Sequence, residues 1–134
     1  MRYRTLFFDL DGTLFDFKAS EECALGEALK TEAARELTAD ILDEYRRIKS
    51  GLWRSFEAGE VDAKDLHKTR FARFVAASDL NVNPETLGDA YLEAVEAQAI
   101  LLDGAIEVLE RFADRCTMAV ITNGFTRTQR SKLE

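Results

Sequence analysis

The chain has 134 residues, 46% of them hydrophobic and 32% charged, which is enough apolar material for a globular core. Its 18 basic and 25 acidic residues leave a net charge of −7, which argues against a general nucleic-acid coat, and no apolar run reaches the roughly 20 residues that cross a bilayer. The start lacks a signal-peptide layout, and Cys23 and Cys116 match no metal or redox spacing. The expectation is a cytoplasmic protein with reduced thiols and neither a membrane nor a nucleic-acid polymer as partner.

Along the chain, Thr5-Leu6-Phe7-Phe8-Asp9 is apolar at consecutive positions, which predicts an inner strand of a parallel sheet with both faces buried. Asp11-Gly12-Thr13 breaks it with turn chemistry. A long helical region follows. Ile41, Tyr45, Ile48, Leu52 and Phe56 form one apolar face of a helix opening near Thr38 and stopping at Ala58-Gly59. Asp62 reads as the N-cap of a helix carrying Phe71, Phe74 and Val75. Asn83-Pro84-Glu85 reads as N-cap, first position and acidic first turn of the next, through Leu87, Tyr91 and Ala94. A further helix is expected near Asp103-Gly104, burying Ile106, Leu109 and Phe112. Thr117–Thr122 is a second strand apolar on both faces, ended by Asn123-Gly124. Thr126 and Gln129 stand three apart, as in a capping box, and predict a last helix.

This order predicts an α/β domain, with residues 1–15 and 101–134 belonging to a Rossmann-like parallel-sheet core and residues 16–100 to a helical insertion. Two parallel strands buried on both faces do not make a covered, edge-free sheet, and the last helix carries no stop signal. The core is therefore expected to be incomplete in this segment, which reads as the N-terminal part of a longer protein.

The strongest chemical signal is Asp9-Leu10-Asp11-Gly12-Thr13. Two carboxylates two residues apart at a strand's carboxyl end can both reach the crevice where open α/β sheets bind ligands. One can attack phosphorus while the other exchanges protons with the leaving group and then water. A hard cation there would offset repulsion between nucleophile and phosphate. The bland reading is an Asx-turn pair; a calcium loop fails because its ligand spacing is absent. Thr122-Asn123-Gly124 offers a hydroxyl, an amide and a backbone N–H at a second strand end, suited to a phosphoryl group, although a plain strand-to-helix turn uses the same residues.

Asp9-Leu10-Asp11-Gly12-Thr13 resembles the first motif of the haloacid dehalogenase (HAD) superfamily, and Ile121-Thr122-Asn123-Gly124 resembles its second. The helical stretch between them is similar to the cap inserted there in one subgroup. The resemblance spans nearly the whole chain, and within the superfamily it is strongest to bacterial pyrimidine 5′-nucleotidases. It rests there on Ile121–Thr126 with Gln129 and Leu133-Glu134, and on Gly51-Leu52-Trp53 with Gly59. It implies a HAD core with a helical cap and hydrolysis of a phosphate monoester through an aspartyl-phosphate with Mg²⁺, on a small phosphorylated substrate, foremost a pyrimidine nucleoside 5′-monophosphate. Asp9 would be nucleophile and metal ligand. Asp11 would be the acid/base and ligate the metal through its carbonyl, and Thr122, Asn123 and Gly124 would hold phosphate. The second aspartate separates phosphatases from true dehalogenases. The third-motif lysine and fourth-motif acids are expected beyond Glu134, so the segment alone should be inactive. The alternatives are a sugar-phosphate or phosphoglycolate-type phosphatase, a mutase, or a non-catalytic fragment.

The remaining candidates have bland readings of equal or greater weight. Trp53 lies one step off its helix's apolar stripe, suited either to stacking on a substrate base or to packing the cap. His67 reads as a solvated or partly packed helix residue rather than a catalytic base, and Lys49, Arg54 and Arg70 either as contacts to an anionic substrate or, the commoner case, as surface charges without function. Leu14-Phe15-Asp16-Phe17 reads as a flap that excludes water or seats the cap.

Overall fold

The computed structural model describes residues 3–134. They form β1 (Thr5–Phe8), α1 (Phe17–Ala33), α2 (Ala39–Glu57), α3 (Ala63–Ala77), α4 (Pro84–Ala97), α5 (Ala105–Ala113), β2 (Thr117–Val120) and α6 (Thr126–Ser131). The chain divides into two compact units, one of residues up to Glu21 with Val95–Glu134, the other Glu22–Ala94. These limits lie inside the 16–100 span expected for the insertion. Both ends of that span are tied to the strand-bearing unit: the Asp16 N–H donates to the Ile100 carbonyl (2.8 Å), and the Ile100 N–H to Ser20 Oγ (3.3 Å).

In the strand-bearing unit β1 and β2 pair in parallel, Thr5 opposite Thr117 through Phe8 opposite Val120. The Ile121 N–H extends the ladder to the Phe8 carbonyl (2.9 Å). Leu10, Leu14, Phe15 and Ala105 form a buried cluster on which Phe8 and Leu109 pack. Alternation along a strand sends Phe7 the other way, and it is 63% exposed. The expectation that both faces of these strands are buried is therefore not met. Each strand has one neighbour among the described residues, and burial on two faces needs layers on both sides. For the same reason Ile106, expected to be buried on α5, is 46% exposed, while Ala105 one residue earlier is buried.

In the helical unit the caps fall where the sequence puts them. Thr38 Oγ1 accepts the Ile41 N–H (3.4 Å), and Asn83 Oδ1 accepts those of Glu85 (2.8 Å) and Thr86 (3.3 Å). Asp62 sits at the N-cap of α3 without a side-chain capping bond. Ile41, Tyr45, Ile48 and Leu52 are buried, as are Phe71, Phe74, Val75, Leu87, Tyr91 and Ala94. Tyr45 is the hub: Phe74 meets it edge-on at 5.2 Å between centroids, with Tyr91 at 5.7 Å and Phe71 at 6.0 Å.

Arg70, read from sequence as a surface charge, is buried instead. Its guanidinium lies 5.4–5.8 Å from the Phe71, Tyr91 and Tyr45 ring centres, and Nη2 is 2.9 Å from His67 Nδ1. Cation–π attraction and the imidazole lone pair compensate the charge there. Burial first, and then the neighbouring Arg70 charge, push His67 down from 6.5 to about 4.

Two predictions follow from this packing. Between pH 6.5 and 4 the unfolded chain protonates at His67 while the folded one resists, so stability from this group is complete above pH 6.5 and is lost as pH falls toward 4. Urea midpoints across that window should fall more steeply for the native chain than for His67→Gln; parallel curves would contradict it. Gly12 adopts φ +79° with no atom within 4 Å of where a Cβ would stand. Gly12→Ala should therefore cost about 1–2 kcal/mol in backbone strain alone, and Gly12→Asn less, read from the same denaturation curves.

Candidate active site

The turn after β1 is organised around one atom. The Leu10 carbonyl accepts the N–H groups of Thr13 (3.2 Å), Leu14 (2.9 Å) and Phe15 (2.9 Å), and the Gly12 N–H donates to the Phe15 carbonyl (2.9 Å). Leu10 itself is fully buried. A buried Leu10 between two aspartates forces the flanking side chains away from the core, at the carboxyl end of the strand. Leu14 and Phe15, read from sequence as part of a flap that excludes water or seats the cap, are buried core residues, with the Leu102 N–H bonded to the Leu14 carbonyl (2.9 Å).

The parallel register sets Asp9, which follows Phe8, beside Ile121, so Asp9-Leu10-Asp11 and Thr122-Asn123-Gly124 emerge from the same end of the sheet. Asp9 is exposed, and its Oδ1 accepts the Leu10 N–H (2.8 Å). Thr122 Oγ1 accepts the Gly124 N–H (3.1 Å), so that N–H points at the hydroxyl and leaves the hydroxyl proton to donate outward. Asn123 is exposed. Trp53 belongs to the helical unit, where it meets Phe56 one turn on, edge-to-face at 5.5 Å.

Asp11 is held by residues that sequence reading assigned elsewhere or missed. Lys132 Nζ forms an ion pair with Asp11 Oδ1, and Gln129 Nε2 donates to Oδ2 (2.8 Å). The Lys132 side chain is 1% exposed and its ammonium lies 5.8 Å and 5.4 Å from the Phe15 and Phe17 ring centres. The expected capping box is absent: Phe125 occupies the N-cap of α6 without a side-chain capping bond, and the Gln129 amide reaches Asp11 instead. The available signal was the spacing of Gln129 and Lys132, three apart, which the αR conformation of the Lys132 C-cap brings to one side of the α6 end.

Among the described residues no group of three or more His, Cys, Asp or Glu side chains gathers as a metal site. The donor set at the sheet end is nonetheless all oxygen, with an exposed Asp9 carboxylate close in sequence to the Asp11 carbonyl. Such a set fits Mg²⁺, which keeps several waters and takes only one or two carboxylates. No helix among the described residues is long and apolar enough to cross a membrane.

Comparison with known proteins agrees with this layout. Residues 3–134 match the family model for haloacid dehalogenase-like hydrolases. The HAD-hydrolase YfnB of Bacillus subtilis is 33% identical over 98% of this chain and 56% of its own length. Its crystal structure bound to magnesium superposes with a TM-score of 0.89, covering 99% of this chain and 58% of that one. Pyrimidine 5′-nucleotidase PynA of Streptococcus pneumoniae is 32% identical over 99% of this chain and 56% of its own. Pyrimidine 5′-nucleotidase YjjG of Escherichia coli is 28% identical over 100% and 57%. The chain thus spans a little over half the length of the curated relatives it matches. With two strand-end motifs on one sheet edge, and a family match running from Tyr3 to the last residue, this chain belongs to the haloacid dehalogenase-like hydrolases.

Proposed function

We propose that the protein hydrolyses phosphate monoesters through an aspartyl-phosphate on Asp9, with Asp11 as acid/base and a pyrimidine nucleoside 5′-monophosphate as the favoured substrate. The supporting observation is the parallel register of β1 and β2, which brings the two motif segments to one sheet edge. Substrate class leans on the resemblance to PynA and YjjG, which carry the name pyrimidine 5′-nucleotidase.

In this reading the exposed Asp9 carboxylate attacks phosphorus, the bond from phosphorus to the ester oxygen breaks, and Asp11 delivers a proton to the departing alkoxide. Water then attacks the phosphorus of the aspartyl-phosphate, gives a proton to Asp11, and the bond to Asp9 breaks to release inorganic phosphate. The Thr122 hydroxyl proton and the Asn123 backbone N–H would hold the phosphoryl oxygens, while the Gly124 N–H, expected to do the same, is bonded to Thr122 Oγ1 and orients that hydroxyl. Mg²⁺, held by the Asp9 carboxylate and the Asp11 carbonyl, would neutralise charge between nucleophile and phosphate. The helical unit Glu22–Ala94 would act as the cap, with Trp53 reading the nucleobase.

In the full-length natural protein Asp9→Asn should abolish turnover with an unchanged fold, because an amide forms no acyl phosphate. Asp11→Asn should cost about 10²–10⁴ in kcat. A near-native kcat for Asp9→Asn would exclude the mechanism. Chelator should stop the reaction and added Mg²⁺ restore it; full activity in excess chelator would remove the cation from the scheme. Trp53→Ala should raise KM for pyrimidine nucleotides about tenfold to a hundredfold, the ~1–3 kcal/mol of one base stack. It should leave p-nitrophenyl phosphate nearly unaffected. Equal losses on both substrates, with a lowered Tm, would make Trp53 a packing residue.

A further inference from the structure

The Asp11 carboxylate has a ligand on each oxygen, one from α6 (Gln129) and one from the residue that caps its carboxyl end (Lys132). Lys132 Nζ pairs with Oδ1 and Gln129 Nε2 donates to Oδ2 at 2.8 Å. Neither partner is a surface group: Gln129 is buried, and the Lys132 side chain is 1% exposed against 29% for that of Asp11. Gln129 Oε1 is buried without a partner, so this amide is kept inside at a desolvation cost while its one side-chain bond goes to Asp11. On α6, Arg127 also makes a two-point bridge to Glu96 (2.9 and 3.1 Å).

Gly124 supplies an independent indication. A Cβ at that position would lie 2.1 Å from Gln129 Nε2 and 2.8 Å from its Cδ. The absent side chain is the passage through which Gln129 crosses from α6 to Asp11. Gly124 thereby couples the turn after β2 to the one after β1.

We infer that Lys132 and Gln129 are positioning residues for Asp11: together they fix its carboxyl group so that an oxygen site they leave free, carrying the proton to be delivered, faces the ester oxygen of the substrate. Each carboxylate oxygen carries two acceptor sites, so the two bonds leave one on each oxygen for proton transfer. Two ligands three residues apart, one on α6 and one at its C-cap, hold the carboxylate plane as well as its place, which a single ion pair does not. This inference rests on the proposed phosphatase reading and adds to it residues that act on Asp11 without touching substrate.

The test compares Lys132→Met, Lys132→Arg and Gln129→Leu in the full-length natural protein with Mg²⁺. The readout is kcat/KM on a nucleoside 5′-monophosphate, whose alkoxide needs a proton to leave, and on p-nitrophenyl phosphate, whose phenolate scarcely does. Lys132→Met and Gln129→Leu should lose about a hundredfold on the nucleotide, less than about tenfold on the aryl ester, and Lys132→Arg should recover most of the loss. Equal losses on both substrates, or none, would overturn the inference while leaving the phosphatase reading intact. A native protein inactive on both substrates would remove the phosphatase reading itself. Crystal structures of the variants then judge the clamp without turnover: the Asp11 side chain should leave its native rotamer in Lys132→Met and in Gln129→Leu. An unmoved Asp11 in both would overturn the clamp whatever the kinetics.

Discussion

Four residues of parallel pairing between β1 and β2 carry the organisation of the strand-bearing unit, because they bring chain positions more than a hundred residues apart to one strand spacing. Such a pairing carries a loop-closure cost, which grows only slowly with length. Here the closure is made locally. Directly after the turn that follows β1, Leu14 and Asp16 are hydrogen-bonded to Leu102 and Ile100, so the long excursion leaves and returns at neighbouring points. What lies between folds around its own aromatic cluster on Tyr45, and β2 re-enters the sheet already close to its partner.

That closure gives the two aspartates different surroundings although they stand two residues apart. Leu10 is pulled wholly into the core and its carbonyl ties down three N–H groups, so the chain turns sharply at Gly12. Asp9 stays exposed with one oxygen bound to the adjacent N–H, whereas Asp11 swings toward α6 and is held on both oxygens. Under the proposed reaction this divides the labour physically: the accessible carboxylate attacks, and the immobilised one handles protons.

The helical unit is held together differently. Its interior contains a guanidinium, Arg70, ringed by aromatic faces and bonded to the neutral imidazole of His67. An arginine has a geometry that fits such a site, since its flat, weakly hydrated group stacks on rings. The arrangement makes His67 the sensitive point, because a proton on that ring would face the Arg70 charge at hydrogen-bond distance.

The sequence alone determined what depends on neighbours along the chain. Thr38 and Asn83 cap their helices, Gly59 follows the end of α2, the apolar stripes of α2 to α4 are buried, and turns follow both strands, since each of these is decided within a few residues. Membership of the haloacid dehalogenase-like hydrolases was legible for the same reason, as the two motifs are short runs at strand ends. Only the tertiary structure decided the partners of Asp11, which stand 118 and 121 residues away, so that Gln129 serves a carboxylate rather than a capping box. It also decided that Phe7 and Ile106 are exposed and Arg70 buried. Hydrophobic pattern records which residues prefer burial, but burial itself depends on whether another layer of protein lies across from them, and no local stretch of sequence specifies that layer.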